Sequence, residues 1–166
     1  MNYTIRALEP SEIPLLRDFT YEAIFQRDPE NLIPRSVLEE PTVRVFYEDF
    51  GKPHDLCFVA ETEGALIGAV WTRILSGEVR GFGNIDPHTP EFAISVYPDY
   101  RGQGVGTALM RHMLRALGER GYAKVSLAVQ KDNYAVRMYE ALGFSVLKET
   151  DEEYLMVLIL DETIEQ

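Results

Sequence analysis

The stretch Arg101-Gly102-Gln103-Gly104-Val105-Gly106-Thr107 sets three glycines at alternate positions just ahead of an apolar helical stripe. Glycine lets the main chain come close to a ligand. At a helix N-terminus the first N–H groups lack intrahelical acceptors, and the helix dipole adds partial positive charge. This combination suits an anion, and a pyrophosphate is the natural guest. Two other phosphate motifs do not fit. A P-loop needs Gly-Lys-Ser/Thr, which this turn lacks, and Gly102, Gly104 and Gly106 do not follow the G-x-G-x-x-G spacing of a dinucleotide fold. A purely structural glycine turn is the competing reading.

Other reactive side chains are sparse. Cys57 is the only cysteine, so neither an internal disulfide nor a cysteine-based zinc site can form. Within Leu56-Cys57-Phe58 it reads as a small core hydrophobe rather than a nucleophile. His54, His88 and His112 share no ligand spacing, so no metal is expected. Ser76 to Pro90 holds three glycines and two prolines among polar residues, the composition of a long loop of the kind that often carries function. Trp71, Phe82 and Tyr97 are candidates for a pocket wall, although strand core accounts for most aromatic residues in such positions.

The elements that must position these residues follow from periodicity. Tyr3 to Leu8 reads as a strand, and Pro10-Ser11-Glu12 opens a helix through the twenties with Ser11 as its cap. Pro34 to Phe50 reads as a second helix, interrupted near Pro41. Asp55 to Glu61 and Ala65 to Leu75 are strands that Thr62-Glu63-Gly64 joins into an antiparallel hairpin. In Glu91 to Tyr97, Phe92, Ile94 and Val96 alternate with Ala93, Ser95 and Tyr97, the pattern of a half-buried strand that stops at Pro98.

Val105, Leu109, Met113 and Leu117, with Met110 and Leu114 beside them, make one helical stripe that ends near Gly121. Lys124 to Gln130 is the next strand, and Asn133 can cap a helix carrying Ala135, Met138, Tyr139 and Leu142, which Gly143 closes. Phe144 to Lys148 and Tyr154 to Leu160 complete the chain as strands. The order β-α-α-β-β-β-α-β-α-β-β, with a right-handed crossover between parallel strands 91–97 and 124–130, predicts an α/β (α+β) mixed sheet of about seven strands. No repeat or linker divides residues 1–166, so a single domain is expected.

Val96-Tyr97-Pro98-Asp99-Tyr100-Arg101-Gly102-Gln103-Gly104-Val105-Gly106 resembles the acetyl-CoA signature R/Q-x-x-G-x-G/A of the GNAT (GCN5-related N-acetyltransferase) superfamily. Asn133-Tyr134-Ala135-Val136-Arg137-Met138-Tyr139-Glu140-Ala141-Leu142-Gly143-Phe144 resembles a second motif of that family, and the element order is similar to its fold from Tyr3 to Leu160. The resemblance implies a GNAT-like acyl-CoA N-acyltransferase with helices on both sheet faces, acetyl-CoA as co-substrate and no metal. It further implies that Arg101, Gly102, Gln103, Gly104, Val105, Gly106 and Thr107 cradle the pyrophosphate, that the backbone of Ile94, Ser95 and Val96 holds the pantetheine arm in a splay between strands, and that Asn133 bonds the cofactor.

Attack on a thioester requires a neutral amine, and deprotonating a lysine-type amine at pH 7 costs about 4.6 kcal/mol. A base, acting directly or through a water, is therefore valuable. Glu91 stands where many members of the family keep a carboxylate, with Asp86 as its rival on the preceding loop. Tyr139 resembles the family tyrosine that returns a proton to the leaving thiolate.

The net charge of −11 and a pI near 4.7 oppose docking on nucleic acid or on an anionic membrane, and favour a cationic partner. The acceptor is accordingly expected to be a small-molecule cationic amine, with a peptide N-terminus or a lysine as the alternative and a non-catalytic acyl-CoA sensor as the reading from another class. The start MNYTIRALEPSEIPLL lacks the features of a signal peptide, and no apolar run can span a bilayer, so a cytoplasmic location is expected. The apolar run Tyr154 to Leu160 suggests pairing with a second copy across a sheet edge, giving a homodimer.

Overall fold

The computed structural model describes residues 1–160. Its strands are β1 (Thr4–Ala7), β2 (Leu56–Thr62), β3 (Ala65–Arg73), β4 (Glu91–Val96), β5 (Lys124–Gln130), β6 (Ser145–Glu149) and β7 (Glu153–Ile159). The helices are α1 (Leu16–Ala23), α2 (Pro41–Arg44), α3 (Val105–Glu119) and α4 (Ala135–Ala141). The strands form one mixed sheet in the order β1-β2-β3-β4-β5-β7-β6, so the expected seven-stranded α/β architecture is present.

The β2–β3 hairpin turns on Glu63 and Gly64, whose φ angles of 50° and 81° are those of a two-residue turn that matches strand twist. One sheet face carries α3, whose Val105, Leu109, Met110, Met113 and Leu117 are all at most 1% exposed. Burying each such side chain contributes about 1.5–3 kcal/mol, and truncating Leu109 to alanine would cost about 2–5 kcal/mol. The opposite face is covered by α1 through Leu16 and Phe19, packed on Cys57, Val59, Ala69 and Trp71.

Four expectations need correction. Strand β4 is not half-buried: Phe92, Ile94 and Val96 pack with the α3 core while Ala93 and Tyr97 pack with the α1 core. Ser11 is not a cap, because the chain enters α1 through a 3-10 turn at Pro10–Leu15, where Glu12 accepts from the Glu9 N–H at 2.9 Å. The helix expected over 34–50 is a 3-10 turn at Arg35–Glu39 and the one-turn α2, separated where Glu40 adopts the extended conformation that Pro41 imposes. Strand β7 is not an edge, since β5 and β6 pair on its two sides, so Tyr154 to Leu160 cannot join a second copy through free backbone groups.

Candidate active site

Between β4 and β5 the sheet opens. Their parallel register has one pair, Glu91 with Ser126, and the Ser126 N–H bonds the Pro90 carbonyl at 3.0 Å. Beyond that point the strands separate, while β4 remains paired to β3 through Val96. The Tyr97 N–H bonds Ile67 on the β3 side. By strand alternation the main-chain groups of Ile94 and Val96 face the cleft instead.

The turn from β4 into α3 carries the glycines. Gly102 has φ 74° and Gly104, the residue capping α3, has φ 83° and ψ 0°. An added Cβ would meet nothing within 4 Å at either position, so the left-handed dihedral rather than crowding demands glycine. The Arg101 N–H returns to Pro98 and the Ala108 N–H to Gly104. Between them the N–H groups of residues 102–107 have no acceptor among the described residues, which makes this a cradle suited to a diphosphate.

Gly102, Gly104, Val105, Gly106 and Thr107 line a groove of about 670 Å³ together with Ile94, Ser95, Val96 and Asn133. A Cβ on Gly106 would stand 3.8 Å from Met138 and 4.0 Å from Ile94 and Val96, so this position faces the groove floor. Gln103 lies outside the lining and its amide donates to the Asp99 carbonyl at 3.4 Å. Arg101 also lines the groove, with its guanidinium held by the protein: Nε donates to the Val96 carbonyl at 2.7 Å, and Nη2 lies 3.7 Å from the Glu22 carboxylate.

A second cavity, about 360 Å³, opens on the other side of the split and is lined by Phe46, Trp71, Phe82 and Glu91 among others. Groove and cavity share Ala23, Ile24, Phe25, Ile94, Asn133 and Tyr139, so the two meet at the mouth of the split strands. Of the three aromatic residues for which core was the favoured reading, Trp71 is buried in the core and also borders this cavity, Phe82 stands at its edge, and Tyr97 packs on Phe19 at 5.3 Å between ring centres.

Glu91 is 3% exposed. Its Oε2 accepts from the Gly83 N–H at 2.9 Å, and its buried Oε1 has no partner. Burial pushes the carboxyl up to about 7, against the lowering effect of the Gly83 hydrogen bond. Asp86 is different. Its burial, which would raise it, is outweighed by hydrogen bonds from His88 and Thr89 and by the charge of Lys124, whose Nζ lies 3.5 Å away. The result is a carboxylate held below its ordinary range, ion-paired, and outside the cavity lining.

Tyr139 lies at the junction, packed edge-on to Phe92 at 6.2 Å and to Phe144 at 6.0 Å. Burial first, and then the neighbouring Tyr134, raises its phenol above the ordinary value. Asn133 Oδ1 accepts from the Ala135 N–H at 2.9 Å, which starts α4 and sets the side chain at the same junction.

Five contributing residues were not anticipated. Gly81 and Gly83 press so closely on Glu91 that a Cβ would stand 1.7 Å and 2.9 Å from its oxygens, and the Ser126 hydroxyl donates to the Gly83 carbonyl at 2.6 Å. The buried pair Arg73–Asp55, at 3.1 Å, holds the segment after α2, with Arg73 donating to the carbonyls of Val45 and Glu48. The alternating glycines of the loop were visible signals for the first two; nothing local in the sequence pairs Arg73 with Asp55. Among the described residues no group of three or more His, Cys, Asp or Glu side chains could hold a metal, and no helix is long and apolar enough to cross a membrane.

Comparison with known proteins defines the class. The family described as the acetyltransferase (GNAT) family matches residues 20–144. The chain belongs to the GNAT acetyltransferase family. An acetyltransferase of Pectobacterium atrosepticum is 30% identical over 149 residues, spanning 82% of this chain and 89% of the relative. A mycothiol acetyltransferase of Saccharomonospora viridis is 38% identical over 99 residues, which cover 58% of this chain but only 32% of that longer protein. The PaiA N-acetyltransferase of Thermoplasma acidophilum, solved in complex with coenzyme A, shares the fold with a TM-score of 0.69 at 17% identity, over 96% of this chain and 99% of that one.

Proposed function

We propose that the protein is an acetyl-CoA-dependent N-acetyltransferase that acts on a small cationic amine. The observation that carries this reading is the junction at Tyr139: a groove headed by free main-chain N–H groups and a cavity holding a perturbed carboxylate open onto the same side chain. Acetyl-CoA supplies an acetyl thioester. The amides of residues 102–107 hold its diphosphate, and the cleft-facing main chain of Ile94 and Val96, with Ser95 between them and Asn133 opposite, guides the arm toward Tyr139.

Glu91, ionised above about pH 7, takes a proton from the acceptor's ammonium through a water. The freed nitrogen forms a bond to the acetyl carbon and loses its remaining extra proton through water to solvent as the carbon–sulfur bond breaks. Tyr139, still a neutral phenol because burial raises it, gives its proton to the departing sulfur and recovers one from solvent. A small acceptor is favoured by the strap after α1, where Arg27 grips Asp132 at 2.6 and 2.9 Å and Gln130 at 2.7 Å, tying that segment to the end of β5. One domain acting in the cytoplasm belongs to the same proposal; residues 161–166 lie outside the described residues.

Thiol release from acetyl-CoA, screened against a panel of amines, tests the proposal. Turnover with a small amine is expected. Binding of acetyl-CoA without release of thiol by any amine, unchanged in Tyr139→Phe, would establish a sensor instead.

A further inference from the structure

The second cavity defines what the amine is attached to. Resting on the transferase reading above, we infer that the acceptor is a primary amine carried on a flat, apolar body of ring size, an arylalkylamine in chemical class. The walls are aromatic, with Phe25, Phe46, Trp71 and Phe82 all contributing. Phe46 and Phe82 stack with centres 6.1 Å apart and planes at 21°, and Phe82 remains 55% exposed. A phenyl group at a cavity mouth with half its surface in water gains when an apolar guest covers it.

The polar side chains of the wall away from Glu91 and Tyr139 reinforce this selection, because Trp71, Thr20, Gln130 and Glu153 are already engaged. The Trp71 indole N–H donates to the Phe46 carbonyl at 2.8 Å, so this buried ring offers a guest no polar group. The Thr20 hydroxyl donates to the Leu16 carbonyl at 2.7 Å. Gln130 is used at both ends, donating to Glu153 at 3.0 Å and accepting from Arg27 at 2.7 Å. Asn133 Oδ1 caps α4. The several hydroxyls of a sugar amine would meet this aromatic wall and these engaged groups, a cost that an apolar body avoids.

No lysine or arginine lines the cavity, and its acidic side chains are Glu91 and Glu153. Glu153 is held by Gln130 at the far end of β5, so the buried carboxylate with a free oxygen is Glu91. One charged head and one apolar body therefore match the site. A polyamine's second ammonium would find no second free carboxylate, because Glu153 is already bonded by Gln130.

The test compares 2-phenylethylamine, spermidine, glucosamine and an alanine tripeptide amide as acceptors in the thiol-release assay, with acetyl-CoA binding measured by calorimetry. The expected result is a kcat/KM for 2-phenylethylamine at least about tenfold above the other three. In Phe82→Ala, KM for that amine should rise about five- to tenfold while KM for acetyl-CoA stays unchanged. Phe82 is exposed, so this substitution spares the core. A higher kcat/KM for spermidine, glucosamine or the peptide, or an unaltered amine KM in Phe82→Ala, would overturn the inference and leave the transferase reading standing. Absence of acetyl-CoA binding would overturn both.

Discussion

Glu91 and Ser126 are register partners at the point where β4 and β5 part, and Gly83 is clamped between them. The Gly83 N–H donates to Glu91 Oε2 at 2.9 Å while its carbonyl accepts from Ser126 Oγ at 2.6 Å. A loop residue thereby closes the base of the cleft and seals the carboxylate away from bulk water. The geometry couples the shape of the split to the chemistry placed in it.

Gly83 and Gly104 are consequently glycines for different reasons, and alanine should distinguish them. At residue 83 a Cβ would meet Ala128 N and Leu127 C at 2.8 Å, backbone atoms that cannot yield cheaply. Gly83→Ala is expected to destabilise by about 1–3 kcal/mol and to depress kcat with it. At residue 104 the space is open but φ is 83°. Gly104→Ala should cost about 1–2 kcal/mol and weaken acetyl-CoA binding, leaving any bound substrate to react normally. Denaturant melts with calorimetry separate the two patterns.

Glu91 makes opposite demands on activity and stability. Its carboxyl titrates near 7 in the fold against 4.5 in an ordinary setting, so between these values the folded chain holds a proton that the unfolded chain has released. Stability attributable to this residue therefore falls as pH rises from about 4.5 to about 7, while kcat/KM should rise over the upper part of that range. Glu91→Gln is expected to lose the pH dependence and most activity, and to gain about 1–3 kcal/mol at pH 8.

Removing the Tyr139 hydroxyl should be a nearly pure kinetic change. Its ring packs against Phe92 and Phe144, contacts that phenylalanine keeps. Tyr139→Phe is expected to lower kcat about 100-fold with little effect on Tm or on acetyl-CoA affinity. More nucleophilic amines cannot rescue it, whereas an acyl donor with a less basic thiolate should narrow the gap in kcat.

Arg73 and Asp55, each side chain 4% exposed, form an ion pair that supports the Phe46 wall of the cavity. Arg73→Ala leaves the buried Asp55 carboxylate without its counter-ion, held only by the Gly51 and Lys52 N–H groups, and should cost about 3–5 kcal/mol. Chemical denaturation measures it; a loss below about 1 kcal/mol would show that the pair is not a support.

Much of this was legible because local rules decide it. The alternate glycines before the Val105–Leu117 stripe, the Glu63-Gly64 turn and the Asn133 cap each follow from one short window of residues. What failed depended on partners distant in sequence. Strand β4 looked half-buried because Ala93 and Ser95 are small, yet α1 lies across them. Tyr154 to Leu160 looked like an edge because nothing in that run shows that β6 folds back beside it. Glu91 was preferred to its rival Asp86 on the family resemblance alone, and the physical difference between them rests on Lys124, which pairs with Asp86, and on the loop that covers Glu91. The roles of Gly81, Gly83 and Arg73 rest on contacts across the sheet, and periodicity carries no information about those.

The main-chain cradle at residues 102–107 is the centre of the proposed function, and isothermal titration tests it most directly by comparing acetyl-CoA with acetyl-pantetheine, which lacks the diphosphate. Saturable binding of acetyl-CoA, with affinity at least about 100-fold above that of acetyl-pantetheine, is the result expected if those amides grip the diphosphate. No heat with acetyl-CoA at millimolar concentration, or equal affinity for both compounds, would contradict it.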